Sequence, residues 1–162
     1  MDESATAVRE VYVKPGESHL VQEPAIFKTL LGSCVGITFL VPRLGIGALC
    51  HPVLPVCPPK SQNMTLEGGR RFVDFAIRDL ARQLDQLKVR RSEVQVKVFG
   101  GADVLFVAAD SRQTVGALNA ECAVRVLEEE GFQVSASRVG GTVGIHIQFD
   151  TRSGEVLLRK LG

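Results

Sequence analysis

The chain has 162 residues, with 19 Lys and Arg against 18 Asp and Glu, a net charge of +1 and a hydrophobic share of 45%. That length suits one domain burying roughly 70% of its unfolded surface, and the hydrophobic share excludes a disordered chain. The near-neutral balance offers no field for nucleic acid or anionic lipid, and with no Trp and 6% aromatics base-stacking platforms are not expected.

The acidic start Met1-Asp2-Glu3-Ser4 has no basic stretch followed by an apolar one, so no secretory signal is expected and the cytoplasm is the expected compartment. Residues 1–8 read as a flexible N-terminal tail, and 9–162 as a single domain. Arg9 to Lys14 predicts a strand with Val11 and Val13 on one face. Pro15-Gly16-Glu17-Ser18 turns the chain toward a weaker strand at His19 to Gln22, and Ile26 to Leu31 follows Pro24. Val35, Ile37 and Phe39 alternate with Gly36 and Thr38, the period of a strand, with Cys34 on the smaller-residue side. After the turn signal Pro42-Arg43-Leu44-Gly45 comes a second short run, Gly45 to Leu49. A hairpin of these two strands would bring Cys34 and His51 together. The apolar stretch Leu30 to Val41 is broken by Gly32, Ser33, Gly36 and Thr38, and is shorter than the roughly 20 residues of a membrane helix.

Pro52 to Asn63 holds Pro52, Pro55, Pro58 and Pro59 and reads as a restricted loop. A helix is expected from about Leu66, with Phe72, Val73, Ala76, Ile77, Leu80, Leu84 and Leu87 as its apolar stripe and Arg70, Asp79 and Arg82 among the charges opposite. Val94, Val96 and Val98 predict a strand ending at Gly100-Gly101. Thr114 to Glu130 predicts a second helix, apolar at Val115, Leu118, Cys122, Val126 and Leu127 and stopped by Gly131. Strands at Phe132 to Val139, Val143 to Phe149 and Glu155 to Leu161 complete the chain. The expected fold is α+β: a single domain in which a mixed or antiparallel sheet forms one layer and two main helices cover it.

A thiol beside an imidazole is the minimum for nucleophilic cysteine chemistry, because the thiolate attacks and a neighbouring imidazolium lowers the thiol pKa. A single free cysteine in a strand is otherwise an inert buried hydrophobe. Cys50, His51 and Cys57 supply sulfur and nitrogen but match no standard zinc spacing, and no metal or cofactor is expected. Thiol redox sensing lacks a close resolving cysteine. His19 is expected at the surface, His146 on the polar face of its strand, and Asn119 solvated or locally hydrogen-bonded.

The segments Leu31-Gly32-Ser33-Cys34-Val35, His51-Pro52-Val53-Leu54-Pro55, Lys97-Val98-Phe99-Gly100-Gly101-Ala102 and Gly140-Gly141 occur in that order. Together they resemble the chemoreceptor glutamine deamidases of bacterial chemotaxis, the CheD family. The resemblance implies a compact α/β sandwich that hydrolyses glutamine side chains of methyl-accepting chemotaxis receptors without a cofactor. It implies Cys34 as nucleophile, His51 as base and a threonine that orients the histidine. Thr29 is that threonine, although a spacing one residue longer would fall on Lys28. Gly32, Ser33, Phe99, Gly100 and Gly101 are implied to shape the active site or bind substrate. The alternative implied role is regulation of a CheC-type chemotaxis phosphatase. Pro52-Val53 and Ile145 depart from the family pattern, where a larger residue with Met and an arginine are common.

Overall fold

The computed structural model describes residues 8–59, 64–104 and 113–162. All but Val8 of the expected tail, and residues 60–63 of the proline-rich loop, lie outside the described residues. The strands are β1 (Arg9–Tyr12), β2 (Ser18–Val21), β3 (Ala25–Leu31), β4 (Val35–Val41), β5 (Ile46–Cys50), β6 (Gln95–Gly100), β7 (Val134–Val139), β8 (Ile145–Asp150) and β9 (Val156–Lys160). The helices are α1 (Leu66–Gly69), α2 (Val73–Gln86) and α3 (Val115–Glu129). None of them is long and apolar enough to cross a membrane.

The α+β sandwich is present, but its strands divide into two sheets instead of the one expected. One runs β1-β3-β8-β9 and the other β2-β5-β4-β6-β7. Each is mixed: β1–β3 and β6–β7 pair parallel, the rest antiparallel. The fully buried β4 explains the division. Its Val35, Ile37, Phe39 and Val41 belong to the core shared with α2 and α3. Its other face meets Leu31, Phe27 and Ile147 of the smaller sheet. The sheets approach this closely only where side chains are absent. A Cβ on Gly36 would lie 2.9 Å from Leu31 Cδ1, and one on Gly47 2.3 Å from Thr151 Cγ2. The alternation of large and small residues in β4 thus records two different layers, helices on one side and a second sheet on the other.

The expected helix from Leu66 is broken. A short turn, α1, is capped by Thr65 Oγ1 accepting from Gly68 N at 3.0 Å, and α2 starts only at Val73. Between them the backbone serves the proline-rich segment: Val53 N and Leu54 N donate to Arg71 O, and Val73 N donates to Leu54 O at 2.8 Å. Phe72 is accordingly extended and bridges Leu54. A segment short of N–H groups took its partners from the helix entry. Within α2 the stripe Val73, Ala76, Ile77, Leu80 and Leu84 is buried as expected. Asp79, placed by pattern among solvated charges, is also buried, where Arg70 Nε at 2.9 Å and Arg82 Nη2 at 2.8 Å neutralise it.

The second helix turns a different face inward. Gly116, Asn119, Cys122, Ala123, Val126 and Leu127 are buried, while Val115 and Leu118 are exposed. Gly116 sets this rotation, since a Cβ there would lie 2.3 Å from Ala102 O. The helix approaches the end of β6 so closely that its smallest residue must face it.

Candidate active site

Along β3 the side chains of Ala25, Phe27, Thr29 and Leu31 point inward, so Thr29 is a hydroxyl in an apolar row. Its Oγ1 lies 2.5 Å from Val13 O and 2.7 Å from His51 Nδ1. A hydroxyl has one proton, and a carbonyl can only accept it. Thr29 therefore donates to Val13 O and accepts from His51, which puts the imidazole proton on Nδ1 and leaves Nε2 as a bare lone pair. Nε2 is buried with no hydrogen-bond partner among the described residues. Lys28 is on the opposite face of β3, ion-paired at 2.5 Å with Glu10.

His51 follows β5 directly, and its backbone is strapped by the N-terminal turn. His51 N donates to Glu17 O at 2.9 Å and Gly16 N donates to His51 O at 2.7 Å. The β4–β5 register, Ile37 opposite Cys50, continues to Val35 N donating to Pro52 O at 3.4 Å. The hairpin expected from the sequence is therefore formed, and Cys34 and His51 stand at the same end of it.

Cys34 itself precedes β4, in the bend Gly32-Ser33-Cys34. The bend is held by the end of β6: Gly101 N donates to Cys34 O and Ala102 N to Gly32 O, each at 2.8 Å. Gly100 has φ +98°, and a Cβ there would lie 2.3 Å from Cys34 O. Only glycine combines that conformation with that approach. Phe99 is buried between the sheets, opposite Gly36, so it supports the bend from behind. Two clefts flank the bend and share Ala102: one of about 500 Å³ includes Ser33, Val53 and Arg71, the other, of about 320 Å³, includes Gly100, Arg138 and Lys160.

Pattern reading missed Asn119. It is fully buried, and its Nδ2 donates to Ser33 O at 2.9 Å and Val53 O at 3.0 Å, far from it in sequence. The signal available was its place on the stripe Gly116, Asn119, Ala123, where one polar residue interrupts a row of small ones.

The remaining candidates stand apart from this cluster. His146 pairs with Leu30, on the face of the sheet away from Thr29. His19 is partly exposed, 3.3 Å from Glu17 Oε1. All four cysteines are free. Burial pushes the Cys50 thiol up to about 12, Cys57 Sγ faces Met64 Sδ at 3.7 Å, and Cys122 Sγ donates to Pro55 O at 3.4 Å. No group of three or more His, Cys, Asp or Glu suited to a metal occurs among the described residues.

Electrostatics of the pair differ from the sequence expectation. Burial lowers His51 to about 4, against the weaker opposite effects of Val13 O and Glu17. Burial also raises the Cys34 thiol, with only its own backbone N–H opposing. Both groups are neutral at rest, so no imidazolium holds the sulfur as thiolate. The arrangement suits a base that removes the thiol proton as attack occurs.

A family model described as CheD chemotactic sensory transduction matches residues 53–160 of this chain, beginning just after His51. A probable chemoreceptor glutamine deamidase CheD 2 of Geobacter sulfurreducens is 39% identical over 151 residues, spanning 93% of this chain and 89% of that protein. A probable chemoreceptor glutamine deamidase CheD of Maridesulfovibrio salexigens is 34% identical over 165 residues, spanning 99% and 97%. Among solved structures, the hypothetical protein YfiH of Bacillus licheniformis overlays with a TM-score of 0.49 at 8% identity, over 78% of this chain and 50% of that one, a likeness too partial to argue from.

Proposed function

The chain belongs to the CheD family of chemotactic sensory transduction proteins, and from that premise we propose that it deamidates glutamine side chains of chemoreceptors, with Cys34 as nucleophile, His51 as base and Thr29 orienting the base. The observation that carries the site assignment is the Thr29–His51 hydrogen bond at 2.7 Å. It leaves the unpaired Nε2 at the end of the hairpin that also carries Cys34.

His51 Nε2 takes the proton of Cys34 Sγ while the sulfur attacks the amide carbon of the glutamine. The C=O electrons move to oxygen, and the backbone N–H groups of the Ser33-Cys34 bend are the donors that meet this charge. His51 then gives its proton to the departing nitrogen, so ammonia leaves and a thioester remains on Cys34. Water, deprotonated by the same Nε2, adds to the thioester; the tetrahedral intermediate expels the thiolate, which takes the proton back from His51, and the carboxyl product loses its proton to solvent as glutamate. No residue in this sequence changes its net protonation over the cycle. The chemistry requires a reduced Cys34, which fits the cytoplasm and four cysteines free of one another.

The test is mass spectrometry of chemoreceptor cytoplasmic domains after incubation with the protein. The expected result is conversion of particular glutamines to glutamate with one ammonia released for each. Unchanged receptors in the presence of folded protein would refute the reading.

A further inference from the structure

Asn119 plays no part in the chemistry set out above, yet it is fully buried and both its amide protons leave its own helix. Ser33 O and Val53 O can only accept, so Nδ2 must face them. Oδ1 is then turned into a buried position with no hydrogen-bond partner among the described residues. A leucine or alanine would fill the same helix position without that desolvated oxygen.

The two carbonyls are not ordinary loop groups. Ser33 O belongs to the peptide whose N–H is that of Cys34, and Val53 lies two positions past His51. The described peptides are all trans, and in a planar trans peptide C=O and N–H point in opposite directions. Fixing Ser33 O therefore fixes where the Cys34 N–H points. Holding Val53 O from the same nitrogen ties the Cys34 bend to the segment leaving His51. The opposite side of the bend is held by backbone alone, through Gly101 N and Ala102 N. Asn119 is the side chain that closes the other side.

We propose that Asn119 is a positioning residue of the hydrolysis: by holding Ser33 O and Val53 O on one amide nitrogen, it aims the Cys34 N–H at the sulfur and at the oxyanion formed beside it, and sets the spacing of the Cys34 and His51 segments. This rests on Cys34 being the nucleophile. The Cys34 N–H acting on its own sulfur is also the sole influence that opposes burial in setting the thiol pKa, so the clamp bears on reactivity as well as on geometry.

The experiment compares Asn119→Ala with Val126→Ala, which trims the same buried helix face without a hydrogen bond to the bend. Two readouts are taken below both melting temperatures: kcat and KM for receptor deamidation, and the rate of Cys34 alkylation by iodoacetamide against pH. Asn119→Ala should lower kcat roughly ten- to hundredfold with KM little changed. Its alkylation should be slower near neutral pH, with a higher midpoint. Val126→Ala should lose stability and keep both readouts. The alkylation needs no substrate, so a failed deamidase assignment leaves it readable. If Asn119→Ala does not fold, Asn119→Asp, the same size as the amide, is read instead. Its carboxyl donates one hydrogen bond when protonated and none when ionised, so kcat per folded molecule should fall over about pH 5 to 8, where the parent protein should stay flat. Parent-like kcat and alkylation in a folded Asn119→Ala, or a parent-like pH profile in Asn119→Asp, overturn the proposal.

Discussion

Thr29 Oγ1 accepts the Nδ1 proton of His51 across 2.7 Å while giving its own proton to Val13 O. One hydroxyl thereby selects the imidazole tautomer and holds the ring, with no carboxylate at that position. An uncharged partner suits this position, since Thr29 and His51 are both buried and an ionised carboxylate there would need its own partner.

Thr29→Val keeps the shape of the side chain and removes the acceptor. The ring is then free to rotate or to place its proton on Nε2, where it cannot act as base. Turnover of the folded variant should fall roughly a hundredfold, and Thr29→Ser should restore most of it. The imidazole nitrogen shifts in ¹⁵N NMR should report the Nδ1–H form in the parent and a mixture in Thr29→Val. Equal turnover in all three proteins would remove Thr29 from the site.

The neutral resting pair sets the pH dependence. His51 is held near 4, against an ordinary 6.5, so it remains an unprotonated base across most of the acid range. The thiol, raised by burial, stays protonated past the usual cysteine range. The profile of kcat/KM should therefore be a broad plateau with its acid limb near 4. A limb between about 6 and 7 would instead mark an ordinary, solvated histidine. The same shift makes a stability prediction. Below 6.5 the unfolded chain binds a proton at His51 that the folded chain refuses down to about 4. The contribution is thus complete above 6.5 and is lost as pH falls through 4, on the order of 3 kcal/mol in all. Urea melts of the parent and His51→Gln, compared at pH 7 and pH 4, measure it: the parent should lose more stability than the variant.

Gly100 is where the backbone of β6 presses most tightly on the Cys34 bend. Gly100→Ala places a methyl group 2.3 Å from Cys34 O at φ +98°. The strain alone costs about 1–3 kcal/mol, and relief requires the Cys34 bend to move. Stability and turnover should fall together, whereas Gly140→Ala, with positive φ but open space around it, should lose stability only. Thermal melts beside deamidation rates separate the two.

Which parts were legible in the sequence follows from what each pattern can encode. Val35-Gly36-Ile37-Thr38-Phe39 announced a strand and two unlike faces, and the turn at Pro42 announced the hairpin that unites Cys34 with His51. The division into two sheets was not legible, because the pairing of β3 with β8 joins Phe27 to Phe149 across the whole domain, and alternation carries no partner information. The early end of α1 depended on the backbone needs of a distant proline-rich segment. The role of Asn119 depended on helix rotation, which Gly116 sets by contact with Ala102. Residue types suggested the thiol and imidazole; tautomer and protonation followed only from burial and from the single proton of Thr29.

The last prediction treats Cys34 and His51 as one unit. If Nε2 removes the thiol proton in the attacking step, neither group accomplishes anything without the other. Cys34→Ala and His51→Ala should each abolish nearly all turnover, and the double variant should be little worse than either, because losses within one step do not multiply. Alkylation separates this from simple loss of structure. In a neutral pair the histidine assists by taking the proton, so His51→Ala should slow iodoacetamide at Cys34 near neutral pH. At pH above the thiol midpoint, where the sulfur is already ionised, the two proteins should converge. Each comparison uses protein shown to be folded by its near-ultraviolet spectrum, since His51 is buried and its removal leaves Thr29 Oγ1 with Val13 O alone. Unchanged turnover and alkylation in folded His51→Ala would mean that the hairpin aligns the two residues without coupling them, and the base would have to be sought elsewhere.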